Sequence, residues 1–397
     1  MEKTKKRLII FMPSMDGGGV EKNLIIVSNF LSRYIKNLTL ITFDNGFNKK
    51  FSKKIKIINY KKKTNKKFSK YFKYLICLLI LSKEILDNKN SSVFSFQANI
   101  YCLILSKILG FKVIIRSNSS HKGWTKNFAK QMIFKIFFKF AEKIIVNSKD
   151  FKKEIDNEYN VKSVVIYNPL NINEIKKKSK EKVNINFFKN RDTLKIINIA
   201  RFTDQKDHLT LLKAFREVTK TIKVELLIMG YGTNKKMINN FILDNNLKKA
   251  VKVIPFQTNP YKYLKQSDLL VLTSLYEGLP NVLLEAMALK KFIISSNCPT
   301  GPKEILQNGK LGMLFKVKNF KQLEKKIIEF NNKKKSYQRK IRAAYTSLER
   351  FEMSKNCNKY LELINKLWKL LLITQYSWFK NMVESLDFLG TFKDTEQ

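Results

Sequence analysis

The chain has 397 residues, 44% of them hydrophobic and thirty of them Phe, which is enough apolar surface for two domains of ordinary size and argues against disorder. Its formal net charge is +45, but the basic residues run along the whole length, so charge favours anionic lipid in general and singles out no specific partner. Cys77, Cys102, Cys298 and Cys357 lie far apart, in neither a zinc pattern nor a disulfide framework, which fits a reducing compartment.

The amino end, Met1 to Arg7, is charged and leads into an apolar run of strand length with no small-residue cleavage site, so no signal peptide is expected. The longest apolar stretch, Tyr74 to Ser82, falls short of the roughly twenty residues a bilayer span needs. Arg7 to Pro13 reads as a first strand, and Asp16-Gly17-Gly18-Gly19-Val20-Glu21 as a turn opening a helix from Val20 to Leu31. Glycines there let the backbone approach a ligand at a helix amino end. The dinucleotide fingerprint would need a third glycine where Lys22 stands, and no phosphate-loop Gly-Lys-Ser/Thr is present, so spacing leaves a plain turn and a binding site about equally open.

Leu38 to Phe43 reads as a second strand, Lys61 to Lys70 as a basic low-complexity loop, and Tyr71 to Ile85 as a mostly apolar helix. Val93 to Phe96, Lys112 to Arg116 and Lys143 to Asn147 continue the strands at helical separations, the pattern of a parallel sheet with crossover helices. Arg116-Ser117-Asn118-Ser119-Ser120-His121 follows a strand end, which sets Arg116 and His121 at the sheet's carboxyl edge. Between Lys130 and Lys143 the apolar arc of Met132, Ile133, Phe134, Ile136, Phe137, Phe138 and Phe140 is wider than one core-facing stripe and is flanked by Lys135 and Lys139. That pattern suits an interfacial helix on an anionic membrane and equally an ordinary crossover helix.

Val164 to Tyr167 with Asn168-Pro169-Leu170 closes a first domain, 1–170, and the lysine-rich stretch 171–190 is the candidate linker. A second domain, 191–350, opens on the strand Leu194 to Ala200. Arg201 and Lys206 then stand between that strand's end and the helix Leu209 to Thr219, where both can reach a phosphate unless they are merely solvated. Val224 to Met229 ends on Gly230-Tyr231-Gly232, and Val251 to Phe256 is a short strand. The Leu- and Val-rich run Asp268 to Ser274 reads as a buried parallel strand that delivers Tyr276-Glu277-Gly278-Leu279-Pro280-Asn281-Val282-Leu283-Leu284-Glu285-Ala286-Met287-Ala288. Pro280 suits a helix's first turn, and Glu285 is the lone polar residue from Val282 to Leu289. A carboxylate on so apolar a helix needs donors, since burying it bare costs several kcal/mol. Asn281 and Glu285 share a helix face, with Glu277 on the turn before it. A helix from Phe320 to Phe330, a segment from Tyr337 to Arg350 and a last long helix, 351–371, follow, leaving a tail, 372–397.

The glutamate, seven residues and glutamate of this strand, turn and helix resemble the nucleotide-sugar signature of family 4 glycosyltransferases, and the wording Glu-Gly-Leu-Pro-Asn-Val-Leu-Leu-Glu-Ala-Met-Ala is specific to them. The resemblance covers roughly residues 7 to 370 and is strongest from Asn198 to Leu306. It implies a GT-B architecture in the α/β class: two Rossmann-like domains facing across a cleft, the last helix returning to the first. It further implies a retaining, metal-independent enzyme with no cofactor, taking a hexose or N-acetylhexosamine from a nucleoside diphosphate donor, with UDP suggested by the run Cys298 to Ile305. The acceptor would be a membrane-associated glycan or lipid-linked carrier, and the enzyme would sit at the inner face of the cytoplasmic membrane.

By the same resemblance Glu285 holds the donor ribose, Glu277 the donor sugar, and Arg201 and Lys206 the diphosphate. Gly17, Gly18 and Gly19 line the opposite wall, and His121 and Arg116 lie near the sugar. Gly230, Phe256, Gly278, Leu279, Pro280, Asn281 and Val282 complete the donor-binding set, although Pro255 replaces the glycine common in the loop beside the base. Two other readings are a basic nucleic-acid-binding protein, which the buried acidic pair opposes, and a nicotinamide-dependent oxidoreductase, which the broken glycine fingerprint opposes.

Overall fold

In the computed structural model, residues 6–369 are described apart from 16, 61–67, 119–127, 184–186, 189 and 191. The strands of the amino-terminal half are β1 (Arg7–Phe11), β2 (Asn37–Ile41), β3 (Lys56–Ile58), β4 (Ser91–Ser95), β5 (Lys112–Arg116), β6 (Lys143–Val146) and β7 (Ser163–Val165). They form one parallel sheet in the order β3-β2-β1-β4-β5-β6-β7. The other half holds β8 (Leu194–Ile199), β9 (Val224–Gly230), β10 (Val251–Pro255), β11 (Leu269–Leu272), β12 (Phe292–Ser296) and β13 (Met313–Phe315), parallel in the order β10-β9-β8-β11-β12-β13. The Val, Ile and Leu runs in these strands are buried on both faces, as parallel sheets under crossover helices require.

Each sheet therefore carries a core on either side. In the first lobe one face packs the helix Gly19–Leu31 together with Cys357, Tyr360, Ile364 and Leu367 of the final helix, 353–369. The opposite face takes the helices Lys70–Leu86, Asn99–Leu109, Phe128–Phe137 and Lys149–Tyr159. In the second lobe, His208–Thr219 and Phe320–Asn332 cover one face, and Tyr261–Gln266 and Asn281–Ala288 the other. The architecture is the pair of Rossmann-like lobes expected from the sequence, with the last helix docked on the first lobe.

The chain crosses between lobes twice at one place. Leu170 donates its amide to Phe351 O at 2.8 Å and bridges Glu352 in parallel, so the outgoing and returning segments lie side by side. The lysine-rich segment after Leu170 contains the helix Ile172–Lys178, whose Ile175 is buried in the second lobe's core.

Strand order reverses between β1 and β4 in one sheet and between β8 and β11 in the other, and open α/β sheets bind ligands at the carboxyl ends beside such a reversal. The loops after β8 and β11 carry Arg201, Lys206 and Glu277. One backbone contact sets this corner. A Cβ on Gly230 would lie 1.9 Å from Ala200 O, so only glycine lets β9 run flush against the end of β8. Gly230→Ala is expected to destabilise the protein by about 3 kcal/mol, read as a lowered denaturant midpoint at unchanged slope.

Candidate active site

The turn after β11 folds Glu277 back over the sheet. Its amide donates to Pro299 O at 2.7 Å, and Thr300 Oγ1 donates to its carbonyl at 3.0 Å. Gly278 then passes so close to the first lobe that a Cβ would lie 2.1 Å from Asn118 O, while Gly301, at φ +87°, packs its α-carbon against the Gly278 carbonyl. Pro280 is the residue just outside the helix Asn281–Ala288, with extended ψ of 108°, and the helix begins at Asn281.

Both carboxylates of this corner are buried, Glu277 at 7% and Glu285 at 5% exposure, and each is held by a lysine. The Glu277 carboxylate pairs with Lys206 Nζ and accepts from Ser274 Oγ at 2.6 Å. Lys206 is aimed by its own loop: Thr273 Oγ1 donates to Lys206 O at 2.8 Å, the Leu275 amide to Gln205 O at 2.8 Å, and Gln205 Nε2 to Tyr276 O at 2.9 Å. The 201–207 loop is thus bolted along the length of the β11 turn. The partner of Glu285 comes from the opposite lobe. Lys22 Nζ, in the first turns of the helix Gly19–Leu31, donates to its Oε1 at 2.8 Å, and Tyr261 OH donates to the same oxygen at 3.3 Å. Burial first, and the Glu285 charge second, push the Tyr261 phenol upward, which keeps it a donor. A carboxylate out of water is tolerated only with such partners, so the two lysines are conditions for this corner to exist.

Around Glu285 lies a small, partly open cavity of about 30 Å³ whose walls come from both lobes, including Lys22, Glu174, Tyr261, Asn281 and Glu285. Asn281 forms the seam beside it. Its Nδ2 donates to Gly19 O at 3.1 Å, and its Oδ1 accepts from Asn168 Nδ2 at 2.6 Å. Asn168 also donates to Leu279 O at 2.9 Å and accepts from the Arg116 guanidinium at 2.6 Å.

The expected site residues are therefore distributed as follows. Glu277, Gly278, Leu279, Pro280, Asn281, Val282 and Glu285 form one corner, and Lys206 touches it directly. Arg201 is exposed on the same loop; burial raises the Tyr276 phenol, and the Arg201 charge offsets only part of that rise. Of the three glycines, Gly19 meets the corner through Asn281, whereas Gly17, at φ +84°, lies beside the Phe47 ring and Gly18 beside the Glu21 carboxylate. Gly230 sits behind the Arg201 loop, and Phe256 meets the Tyr231 ring edge-on at 5.9 Å. Arg116 is only 1% exposed. Its guanidinium is engaged by Asn118, Asn168 and Tyr360 OH and stacks near the Phe96 ring, so the structure places it as a buried bolt between the first lobe and the final helix. His121 and the basic loop 61–67 lie outside the described residues. Among the described residues no cluster of three or more His, Cys, Asp or Glu is placed to hold a metal ion.

Sequence reasoning missed Lys22, Tyr261, Asn168 and Ser274 as partners. The one available signal was Lys22 itself, which breaks the glycine fingerprint at the position where it meets Glu285. Lys206, expected from the resemblance to hold the diphosphate, is paired with Glu277, while Lys22 of the other lobe pairs with Glu285.

Known proteins share this fold. Residues 179–347, which take in most of the second lobe, match the family described as "Glycosyl transferases group 1". The chain is 35% identical over 223 residues to the uncharacterized glycosyltransferase MJ1059 of Methanocaldococcus jannaschii, a match spanning 51% of this chain and 53% of that protein. It is 24% identical over 275 residues to the Campylobacter jejuni N-acetylgalactosamine-N,N'-diacetylbacillosaminyl-diphospho-undecaprenol 4-alpha-N-acetylgalactosaminyltransferase, covering 66% of this chain and 73% of that enzyme. Among solved structures, Anabaena HepE in complex with UDP and glucose superposes with a TM-score of 0.73 at 16% identity, over 91% of this chain and 99% of that one. Sucrose-phosphate synthase from Thermosynechococcus elongatus gives 0.74 at 15% identity, over 92% and 100%. The fold is GT-B, and the resemblance to family 4 glycosyltransferases agrees with the family match.

His208, the first residue of the helix His208–Thr219, is a packing residue. It is 1% exposed, meets the Phe202 ring edge-on at 5.3 Å, and neither ring nitrogen has a hydrogen-bond partner. Burial, reinforced by the Lys206 charge, pushes its pKa from 6.5 down to about 4. The unfolded chain therefore binds the extra proton between those values. His208 contributes full stability above about 6.5 and loses it as pH falls toward 4, by about 3 kcal/mol in all. His208→Leu should flatten the stability profile across that window in denaturation measured against pH.

Proposed function

We propose that this protein is a retaining glycosyltransferase that moves a hexose or N-acetylhexosamine from a UDP-linked donor to a membrane-associated glycan or lipid-linked acceptor, in the assembly of a cell-surface polysaccharide or glycoconjugate. The observation that carries the reading is the buried corner itself, with two lysine-held carboxylates between the β11 turn and the start of the facing helix. Carboxylates so held present oxygen lone pairs to hydroxyl groups, the chemistry a sugar and a ribose need. Glu277 orients the donor sugar and Glu285 accepts from the ribose.

As the glycosidic bond breaks, negative charge builds on the departing diphosphate. Lys206, beside Glu277, and the exposed Arg201 of the same loop supply fixed positive charge for it, and the amino end of the helix starting at Gly19 adds its dipole from across the cleft. These groups make a metal-independent mechanism workable. Retention follows if the acceptor attacks from the face the diphosphate leaves, with that diphosphate as the base. Support for UDP and for a lipid-linked or polymeric acceptor comes from the proteins the chain resembles: HepE is described with UDP, and the Campylobacter jejuni relative is named for a diphospho-undecaprenol substrate.

We further assign the protein to the inner face of the cytoplasmic membrane as a peripheral enzyme. Among the described residues no helix is long and apolar enough to cross a bilayer.

Hydrolysis of a panel of nucleotide sugars, followed by released nucleotide, should single out a UDP-linked donor. Glu285→Ala should raise the donor KM at least roughly tenfold, because a hydrogen bond to a charged group is lost. Glu277→Ala and Lys206→Ala should instead lower kcat by about a hundredfold. Wild-type kinetics in these variants, or release of nucleotide from no donor, would contradict the assignment.

A further inference from the structure

The first lobe has, among the described residues, an outer surface that neither its core nor the cleft uses. Among the described residues, eleven of the sixteen exposed large hydrophobic side chains fall on the three neighbouring helices that cover one face of the first sheet and the short turn Phe138–Phe140 that ends the third. The helix Lys70–Leu86 shows the excess most clearly. Tyr74, Cys77, Leu81 and Ile85 already bury a full inward stripe, yet Tyr71, Leu75, Leu79 and Leu86 form a second stripe on the opposite side. On Asn99–Leu109, Tyr101 and Ile108 point outward seven residues apart, Ile108 at 72% exposure. On the third, Met132, Ile136 and Phe140 repeat every fourth residue on the outer side while Phe138 faces the core.

The three helices abut one another. The buried Tyr74 ring meets the exposed Tyr101 at 5.9 Å, and Lys107 Nζ sits 4.2 Å from the centre of the exposed Phe140 ring. Exposed lysines fringe the patch: Lys70 and Lys83 on the first helix, Lys107 on the second, Lys135 and Lys139 on the third. The acidic groups facing it are mostly neutralised, Glu84 by Arg7 and Glu142 by Lys112, leaving Asp87 at one edge. An apolar surface of this extent marks an interaction site.

We propose that this three-helix face lies on an anionic lipid bilayer, with its apolar side chains entering the headgroup boundary and its lysines meeting lipid phosphates. The inference deepens the reading of a membrane-borne acceptor and rests on it. Charge selects the occupant. A second copy would press one lysine fringe against another in a chain of net charge +45, whereas an anionic leaflet satisfies apolar and cationic groups together.

The test is vesicle flotation with phosphatidylcholine alone and with roughly a quarter phosphatidylglycerol added. The wild type should float with the anionic vesicles only. A combined Leu79→Glu, Ile108→Glu and Ile136→Glu variant should bind at least roughly tenfold more weakly, and Lys135→Glu with Lys139→Glu should remove the preference for anionic lipid. All these side chains point outward, so thermal melts should match the wild type; if the triple variant melts early, each single substitution should still weaken binding. Unchanged flotation of the variants, or no flotation of the wild type, overturns the proposal. So does sedimentation showing a wild-type dimer that the triple variant dissociates, since the face would then belong to a second copy. Hydrolysis of a soluble UDP-sugar reads the cleft separately: flotation without hydrolysis would overturn the glycosyltransferase reading and leave the lipid face standing.

Discussion

A carboxylate taken out of water must be given a cation or several donors, and this chain buries two within a single strand-to-helix turn. That constraint organises the rest. Lys206 can reach Glu277 only because the 201–207 loop is tied to the β11 turn by main-chain bonds, and that loop can close only because glycine stands at 230. Lys22 can reach Glu285 only if the first lobe brings its glycine-led helix to the same corner. The second lobe's most polar feature thus fixes where the first lobe must stand.

The seam between lobes follows the same rule of polar groups finding partners. Asn281 joins Gly19 to Asn168, Asn168 joins Arg116, and Arg116 joins Tyr360 of the returning helix. A second strut stands at the other end of the interface. Glu304 accepts from the Lys149 amide at 2.8 Å and from Tyr167 OH at 2.6 Å, so a carboxylate of one lobe caps a helix of the other. Hydrogen bonds run along this seam, and the outgoing segment adds apolar contacts, Leu170 and Tyr167 packing into the second lobe's core. An interface of that kind holds two bodies in register and still lets polar ligands replace some of its bonds.

Much of this was legible in the sequence, where the signal was long or chemically singular. The buried strands showed as Val, Ile and Leu runs, and the second-lobe corner showed because a glutamate on an otherwise apolar helix demands partners. The short edge strands β3 and β13 were not foreseen, since three residues carry no periodicity and pairing alone defines them. The helix Ile172–Lys178 was hidden in a lysine-rich stretch read as linker, because a single buried residue, Ile175, anchors it. The role of Arg116 was illegible for a different reason: its partners are 52 and 244 residues away along the chain, and no local pattern reports such distances. Lys22 was visible only as a departure from a fingerprint, and its meaning required the other lobe.

The central claim is that the corner at the carboxyl ends of β8 and β11 receives the nucleoside diphosphate. Amide hydrogen exchange with and without UDP tests it directly. The account predicts slowed exchange in residues 201–207 and 274–289, with the outer helices of the first lobe unchanged. Protection confined to other segments, or none at saturating UDP, would contradict it.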